Sequence, residues 1–525
     1  MFPLHDGVHL RIIFDPESLP RLLLPYINDR KSSYGHDISL GLRDSSSPDL
    51  GRKKVLVEFS SPNIASEFHG KHLRSTLLGA YIANQYETMG WDVVRINYLG
   101  DWGKQIGLLG AGWEKFGSEE KFEADPIGHM LSVYNQTDEL FQPEVAASRA
   151  ARDSGGDTAT IEKQGIFAER NAFFKKMEDG DEETLAFWKR LRDVSIDHYT
   201  KLYARLNISF DEYDGEAHVS PETMTEVEEI LKTKGITKES EGALIVDLKD
   251  HGEKSGRVII RDRNGSRMYA LRELASVLDR SRKYNFDHMI YVVANDHDPH
   301  FSRTVIILKL MDMSDLADKL QHVHFNKGDD KHGHGHMLSD ILKESEASML
   351  ESLRATPEKA ALLGDPEDYA APISISAILA QDLTARRAAD HPLDIGKATA
   401  FARGTGPELQ YWYAKLCDTL KQGSFDLNAL TDDDFKPLEE EKYSELLRIL
   451  AQYPNVTSAA YKNLEPSTIM VYLINIADQL PISLESEEGD EGENALTSAE
   501  LAFFEAVRQV MENAMKLLGI APAAG

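Results

Sequence analysis

The chain has 525 residues, and its 58 Lys+Arg against 87 Asp+Glu give a formal net charge of −29. That balance disfavours non-specific adhesion to nucleic acid or membranes but leaves room for a local basic groove that binds RNA. The length and the 42% hydrophobic content suffice for roughly two to four domains with substantial cores. A single cysteine, Cys417, excludes an internal disulfide and fits a reducing compartment. The opening MFPLHDGVHLRIIFDPESLP lacks the apolar core of a signal peptide and the acid-free helix of a transit peptide. No apolar run reads as membrane-spanning, so the cytoplasm is the expected compartment, with neither membrane nor DNA as a partner.

In chain order, residues 1–50 show little periodic pattern and end in a polar stretch, Asp44 to Gly51, that reads as a linker. A strand-like run, Val55 to Phe59, leads through Ser-Ser-Pro-Asn to His69-Gly70-Lys71-His72 and an amphipathic helix. Strand, loop and helix N-terminus in that order present free N–H groups and a favourable dipole to phosphate. Residues 51–118 therefore read as the first half of a nucleotide fold. Residues 119–250 are charged and helix-patterned, an insertion before a second half at 251–368. Strands of that second half are expected at Val258 to Ile260, Met289 to Val293 and Leu320 to Phe325. Residues 369–525 turn helical, and Thr497 with Glu500 forms a capping box before a last helix at Ser498 to Leu518. The acidic run Glu485 to Glu493 reads as a solvated loop. Ser60 and Ser61, before a proline, read as turn residues rather than nucleophiles.

The segments VLVEFSSPN, HGKH, Gly100-Asp101-Trp102-Gly103-Lys104-Gln105 and GTGPELQYWYAKLC (Gly404 to Cys417) follow one another in the order found in arginyl-tRNA synthetases. Over roughly nine-tenths of its length the chain closely resembles that family of class I aminoacyl-tRNA synthetases. The resemblance implies an α/β class I synthetase, with a Rossmann-like nucleotide-binding core, an insertion and then an all-helical anticodon-binding-like domain. It makes residues 1–50 a remnant of the family's N-terminal domain. A guanidinium needs carboxylates placed for forked hydrogen bonds. The resemblance puts the arginine on Glu58, Asn63, Tyr269 and Glu273, with Glu273 where the family has aspartate. It puts tRNA contacts at Gln410, Tyr411, Gln452 and Tyr453.

Two departures stand out. The family's His-x-Gly-His becomes His69-Gly70-Lys71-His72, so Gly70 and Lys71 mark a degenerate nucleotide site. The second signature becomes NKGDDKHGHGHMLSD, where Asp329 and Asp330 bring negative charge towards a triphosphate. The expectation that follows is an arginine pocket without ATP-driven activation, needing no cofactor, with ATP a substrate only if activation survives. Arginyl-tRNA and a second aminoacyl-tRNA would then be the partners, and their condensation would release a cyclic dipeptide. Such a repurposed enzyme would resemble the fungal arginine-containing cyclodipeptide synthases. A neutral histidine suits the base that such amine attack requires, which singles out His69, His72 and His297. A working arginyl-tRNA synthetase and a non-catalytic tRNA-binding relative are the alternatives. His332, His334 and His336 alternate with glycine, a weak metal signal, and no metal is assigned.

Overall fold

Val55, Leu56 and Val57 leave strand β3 (Lys54–Glu58) without a polar face, as expected of a strand covered on both sides. It is the centre of a five-stranded parallel sheet of order β10-β9-β3-β4-β5. The others are β4 (Asp92–Leu99), β5 (Glu212–Gly215), β9 (His288–Tyr291) and β10 (Leu320–His322). The computed structural model describes residues 17–64, 70–253, 256–263, 265–326, 337–390, 392–484 and 496–523, with Asp15, Phe68 and two short strands, β1 (Pro3–Leu4) and β2 (Gly7–Val8). Residues 53–83 and 92–339 form one compact unit; residues 1–52, 84–91 and 340–525 form the other.

Within the first unit the chain leaves β3 towards β4 and β5 on one side, and later returns as β9 and β10 on the other. The strand order therefore reverses between β3 and β9, where Glu58 pairs in register with Tyr291. In open α/β sheets ligands bind outside the carboxyl ends of the strands at such a reversal. Two expectations need correction here. The strand at Val258 to Ile260 exists as part of β8 (Arg257–Arg261), but it pairs in a separate antiparallel sheet with β6 (Thr237–Ser240) and β7 (Ala243–Asp247). Conversely, β5 lies in the stretch read as helical insertion and yet joins the parallel sheet. Four residues, Glu-Tyr-Asp-Gly, are too few to show a period.

The antiparallel sheet has a positional consequence. The Met268 amide donates to the Ile260 carbonyl at 3.0 Å, so a turn from β8 sets the start of the helix Tyr269–Tyr284 against that strand. Leu271, Leu274 and Leu278 of that helix pack with Val246 and Ile260, and with Val227 and Leu231 of the helix Pro221–Thr233. The rest of the insertion is helical as its pattern implied, chiefly Pro126–Asp153, Gly165–Glu178 and Glu182–Arg205.

The second unit is helical, with Pro366–Thr384, Gly406–Thr419, Glu441–Asn463, Ser467–Leu484 and Ser498–Leu517 packed together. The capping box of the last helix forms, the Thr497 amide donating to Glu500 Oε2 at 2.8 Å. Residues 1–50 hold more order than their pattern suggested. The helix Ser18–Arg30 buries Leu19, Leu23, Leu24 and Ile27 against the helices Ser498–Leu517 and Glu441–Asn463. Ser467–Leu484 also corrects a reading, since its 18 residues with mean hydropathy 1.2 are long and apolar enough for a membrane span. Ile469, Leu473, Ile476 and Leu480 are instead buried in the bundle, and Arg403 pairs with Asp478 at 2.7 Å.

Candidate active site

Beyond Glu58 the chain turns sharply, and Ser60 and Ser61 take φ values of 71° and 48°. Two successive left-handed residues without glycine are costly and persist only where the surroundings hold them. Here the Ser60 amide donates to Ser75 Oγ at 2.9 Å, the Ser61 amide to Asn97 Oδ1 at 3.2 Å, and the Ser60 and Tyr203 hydroxyls share a 2.7 Å bond. Thr76 adds its hydroxyl to Ser60 at 2.8 Å, tying the turn to the helix Gly70–Thr88. The serines act as turn residues, as their sequence context implies. Asn63 follows, its carbonyl accepting the Tyr199 hydroxyl at 2.8 Å and its side chain lying against Gly100. A Cβ at Gly100 would stand 1.9 Å from Asn63 Oδ1, which explains the glycine.

At the strand reversal the fold gathers buried acids. Glu58 accepts from Arg280 Nη1 at 2.5 Å, and Arg280 Nη2 lies 3.5 Å from Asp214. Glu273, one turn after Tyr269 on the same helix, is buried among Glu58, Glu216, Tyr98 and Tyr291. Arg272 donates to the Glu216 carbonyl at 3.0 Å and attracts its carboxylate. Four carboxyl groups, of Glu58, Asp214, Glu216 and Glu273, thus share the guanidinium groups of Arg272 and Arg280. Glu273 Oε1, the Tyr98 hydroxyl and Arg280 Nε are buried without a hydrogen-bond partner among the described residues. Buried polar atoms are nearly always satisfied, so these atoms, with the Tyr291 hydroxyl that also faces Glu273, form a candidate ligand site.

Sequence expectation and structure meet unevenly. Glu58, Tyr269 and Glu273 are brought together; Tyr269 is 43% exposed, with its ring 4.8 Å from that of His300, while its phenol faces Glu273 and Glu58. His72 lies in the first turn of Gly70–Thr88, its ring 5.4 Å from Phe68. His297 is half exposed, 3.8 Å from Asp296 and beside His300. His69 and residues 327–336 lie outside the described residues; of Gly70 and Lys71 the backbone alone is placed, in the first turn of that helix. The sequence reading missed Arg280, Asp214 and Glu216. Arg280 had a signal, since positions 269, 273 and 280 share one helix face. Asp101, within the quoted Gly100 to Gln105 motif, is fully buried and accepts from Arg192 Nε at 2.7 Å and the Ala217 amide at 2.9 Å. It thereby joins the ends of β4 and β5.

Two of the expected tRNA contacts are core residues and cannot reach RNA. Gln410 is fully buried, donating to Ser376 Oγ and the Ala521 carbonyl at 2.7 Å and accepting from the Ala523 amide at 2.8 Å. Tyr453 stacks on Tyr472 at 5.2 Å inside the bundle. Tyr411 is half-buried beside Trp412, and Gln452 is exposed.

The sequence matches the family model of class I tRNA synthetases (R), catalytic domain, over residues 43–395, and that of the DALR anticodon binding domain over 409–524. The cytoplasmic arginine–tRNA ligase of Saccharomyces cerevisiae is 38% identical over 98% of this chain and 82% of its own length. The chain belongs to the arginyl-tRNA synthetase family. The mitochondrial arginine–tRNA ligase of the same yeast is 36% identical over 98% of the chain and 77% of its own. Among solved structures, the synthetase of Plasmodium falciparum superposes with a TM-score of 0.71 at 21% identity, over 90% of this chain and 76% of that one. The Thermus thermophilus enzyme gives 0.70 at 17% identity, over 97% and 86%. Both show the fold: a class I catalytic domain on a parallel sheet, with a helical anticodon-binding domain.

Family membership at this level overturns the expectation of a cyclodipeptide-forming transferase that has lost ATP activation. The relatives aligned over nearly the whole chain are named as ligases, and the second aminoacyl-tRNA partner falls with the transferase. The physical reason lies in what a nucleotide site needs. Phosphate is held largely by backbone N–H groups at a helix N-terminus, and the helix Gly70–Thr88 supplies one after β3 whatever side chain stands at position 71.

Burial makes the acid cluster pH-sensitive. It pushes the Glu58 carboxyl up to about 7, with Arg280 opposing and Glu273 reinforcing the shift. Glu216 is also pushed up to about 7 by burial, against Arg272 and with Asp101 and Glu273. A carboxyl raised from its ordinary 4.5 stabilises the fold when protonated, so the ligand-free protein should lose stability as pH climbs from 4.5 through about 7. Arginine keeps its charge throughout and prefers the ionised acids. Its Kd is expected to fall several-fold between roughly pH 6 and pH 8. Calorimetric titration checks this, and a Kd independent of pH would contradict the assignment of these acids.

Proposed function

We propose that the protein joins arginine to its transfer RNA in an ATP-dependent reaction. The acid-lined pocket at the strand reversal supports this reading most. Its buried carboxylates and orphaned polar atoms call for a planar cation with several donors, which a guanidinium is. The arginine carboxylate would attack the α-phosphorus of ATP and release pyrophosphate. A terminal ribose hydroxyl of the tRNA would then attack the acyl carbon and release AMP.

We assign activation to the unit holding the parallel sheet, with Glu58, Tyr269 and Glu273 on the guanidinium end and Asn63 beyond the turn. The helix N-terminus at Gly70 is suited to the phosphates. tRNA binding belongs to residues 409–524, where Tyr411 and Gln452 reach the surface. The relatives include both cytoplasmic and mitochondrial ligases. Arginine-dependent ATP–pyrophosphate exchange in the presence of tRNA, followed by charging of tRNA with labelled arginine, tests the proposal. Absence of both with folded protein would refute it.

A further inference from the structure

Away from the acid cluster, at the carboxyl ends of β9 and β10, three side chains converge in one place. Asp298 opens the helix Asp298–Leu310; its Oδ1 lies 3.0 Å from Nδ1 of His322 and 3.3 Å from Nδ1 of His324. One ligand atom from each lies within 4.8 Å of the others. The other nitrogen of His322, Nε2, stands 3.0 Å from the Val293 carbonyl oxygen. A carbonyl only accepts, so Nε2 carries the proton, and in the neutral ring Nδ1 presents a lone pair to the carboxylate. The His322 Nδ1 lone pair and the Asp298 carboxylate do not sit 3.0 Å apart unless something positive, a second proton or a metal ion, lies between them. A metal ion among the three atoms would satisfy all of them at once, in place of a doubly protonated His322 and a His324 that donates from Nδ1.

We infer that Asp298, His322 and His324 form a binding site for a divalent transition-metal ion of the zinc and cobalt type. Ligands bound at about 2.1 Å in a tetrahedron lie about 3.4 Å apart, close to the two nitrogen–oxygen separations of 3.0 and 3.3 Å, so the ion would draw the two imidazoles, now within 4.8 Å, towards each other. The Val293 carbonyl fixes the His322 tautomer and ring orientation as outer-shell partners of metal-bound histidines usually do. Phe301 covers one face of the His322 ring at 4.5 Å, while His324 and Asp298 remain half exposed, leaving entry for the ion and room for a water ligand. Both histidines and Asp298 line a cavity of about 530 Å³ that continues along Phe301, Val305 and Leu320. Imidazole and carboxylate together suit zinc, cobalt or nickel rather than calcium or magnesium. Such an ion would pin the chain leaving β10 to the first turn of the helix Asp298–Leu310.

The glycine-spaced His332, His334 and His336 are a rival source of metal binding, so the test removes them first. Untagged full-length protein carrying H332Q, H334Q and H336Q together is titrated with Co2+ and followed by its visible absorption, with Zn2+ as competitor. One tightly bound Co2+ per chain is expected in this background. Adding D298N or H324Q, at half-exposed positions that leave the core intact, should weaken binding by at least about tenfold. Failure of the triple variant to bind Co2+, or a loss under tenfold in both added variants, would overturn the site.

Discussion

Replacing Glu273 by glutamine is expected to raise the Kd for arginine about 100-fold, or about 2.7 kcal/mol, while the ligand-free protein stays as stable as the parent or becomes more so. The two halves of that result come from one fact. Glu273 is buried beside Glu58 and Glu216, and its Oε1 finds no partner among the described residues. In the free protein its carboxyl is buried beside Glu58 and Glu216, whose own carboxyls burial pushes up. With a guanidinium bound, the same carboxyl accepts a forked, charge-assisted hydrogen bond. Glu273→Asp keeps the charge and should stay within about tenfold of the parent in affinity. Arginine titration and thermal unfolding of both variants check this. A merely structural Glu273 would instead lower the Tm of the glutamine variant and leave the Kd unchanged.

Arg280→Met should cost about 3–5 kcal/mol of folding stability, the largest effect expected of a single substitution here. Arg280 and Glu58 have side chains only 3% and 7% exposed, and their 2.5 Å bond is the nearest compensation for either charge. Truncating the arginine leaves buried Glu58 beside the partly exposed Asp214 with no cation between them. The double variant Glu58→Gln with Arg280→Met carries no orphaned charge at that pair and should recover a substantial part of the loss. Urea unfolding of the two single variants and the double variant closes the cycle. A single-variant cost below about 1 kcal/mol would show that the pair does not hold the pocket together. Arginine binding should suffer in all three, since Glu58 is displaced or neutralised in each.

The parts of the fold legible in the sequence are those where one pattern dominates. Val55 to Val57 announced a buried parallel strand, and Thr497 with Glu500 announced a helix start. Where the pattern is short or shared, it misled. Val258 to Ile260 reads as a strand equally well in either sheet, and only the pairing with Val246 and Ile245 decides. Gln410 and Tyr453 sit inside family motifs, but a motif does not say whether a side chain turns to solvent or to the bundle. At the site, the sequence singled out Glu58, Tyr269 and Glu273, which the fold brings together, because the residue types a guanidinium would need are few. Arg280 was not singled out, because an arginine beside a site read as arginine-binding looks like a contradiction until the surplus of acids around it is seen. A backbone-built phosphate cradle tolerates side-chain changes that a side-chain-built one would not.

Tyr269, Glu273 and Arg280 stand on one stripe of a single helix whose start is fixed by the hydrogen bond from Met268 to Ile260. Under the proposed function, one helix carries Tyr269, Glu273 and Arg280 of the pocket, while Glu58 and Asp214 come from the sheet. If the proposed function holds, exchanging inward-facing positions of that helix is a route to enzymes that accept citrulline or homoarginine, with the helix N-terminus at Gly70 and the helical bundle left untouched.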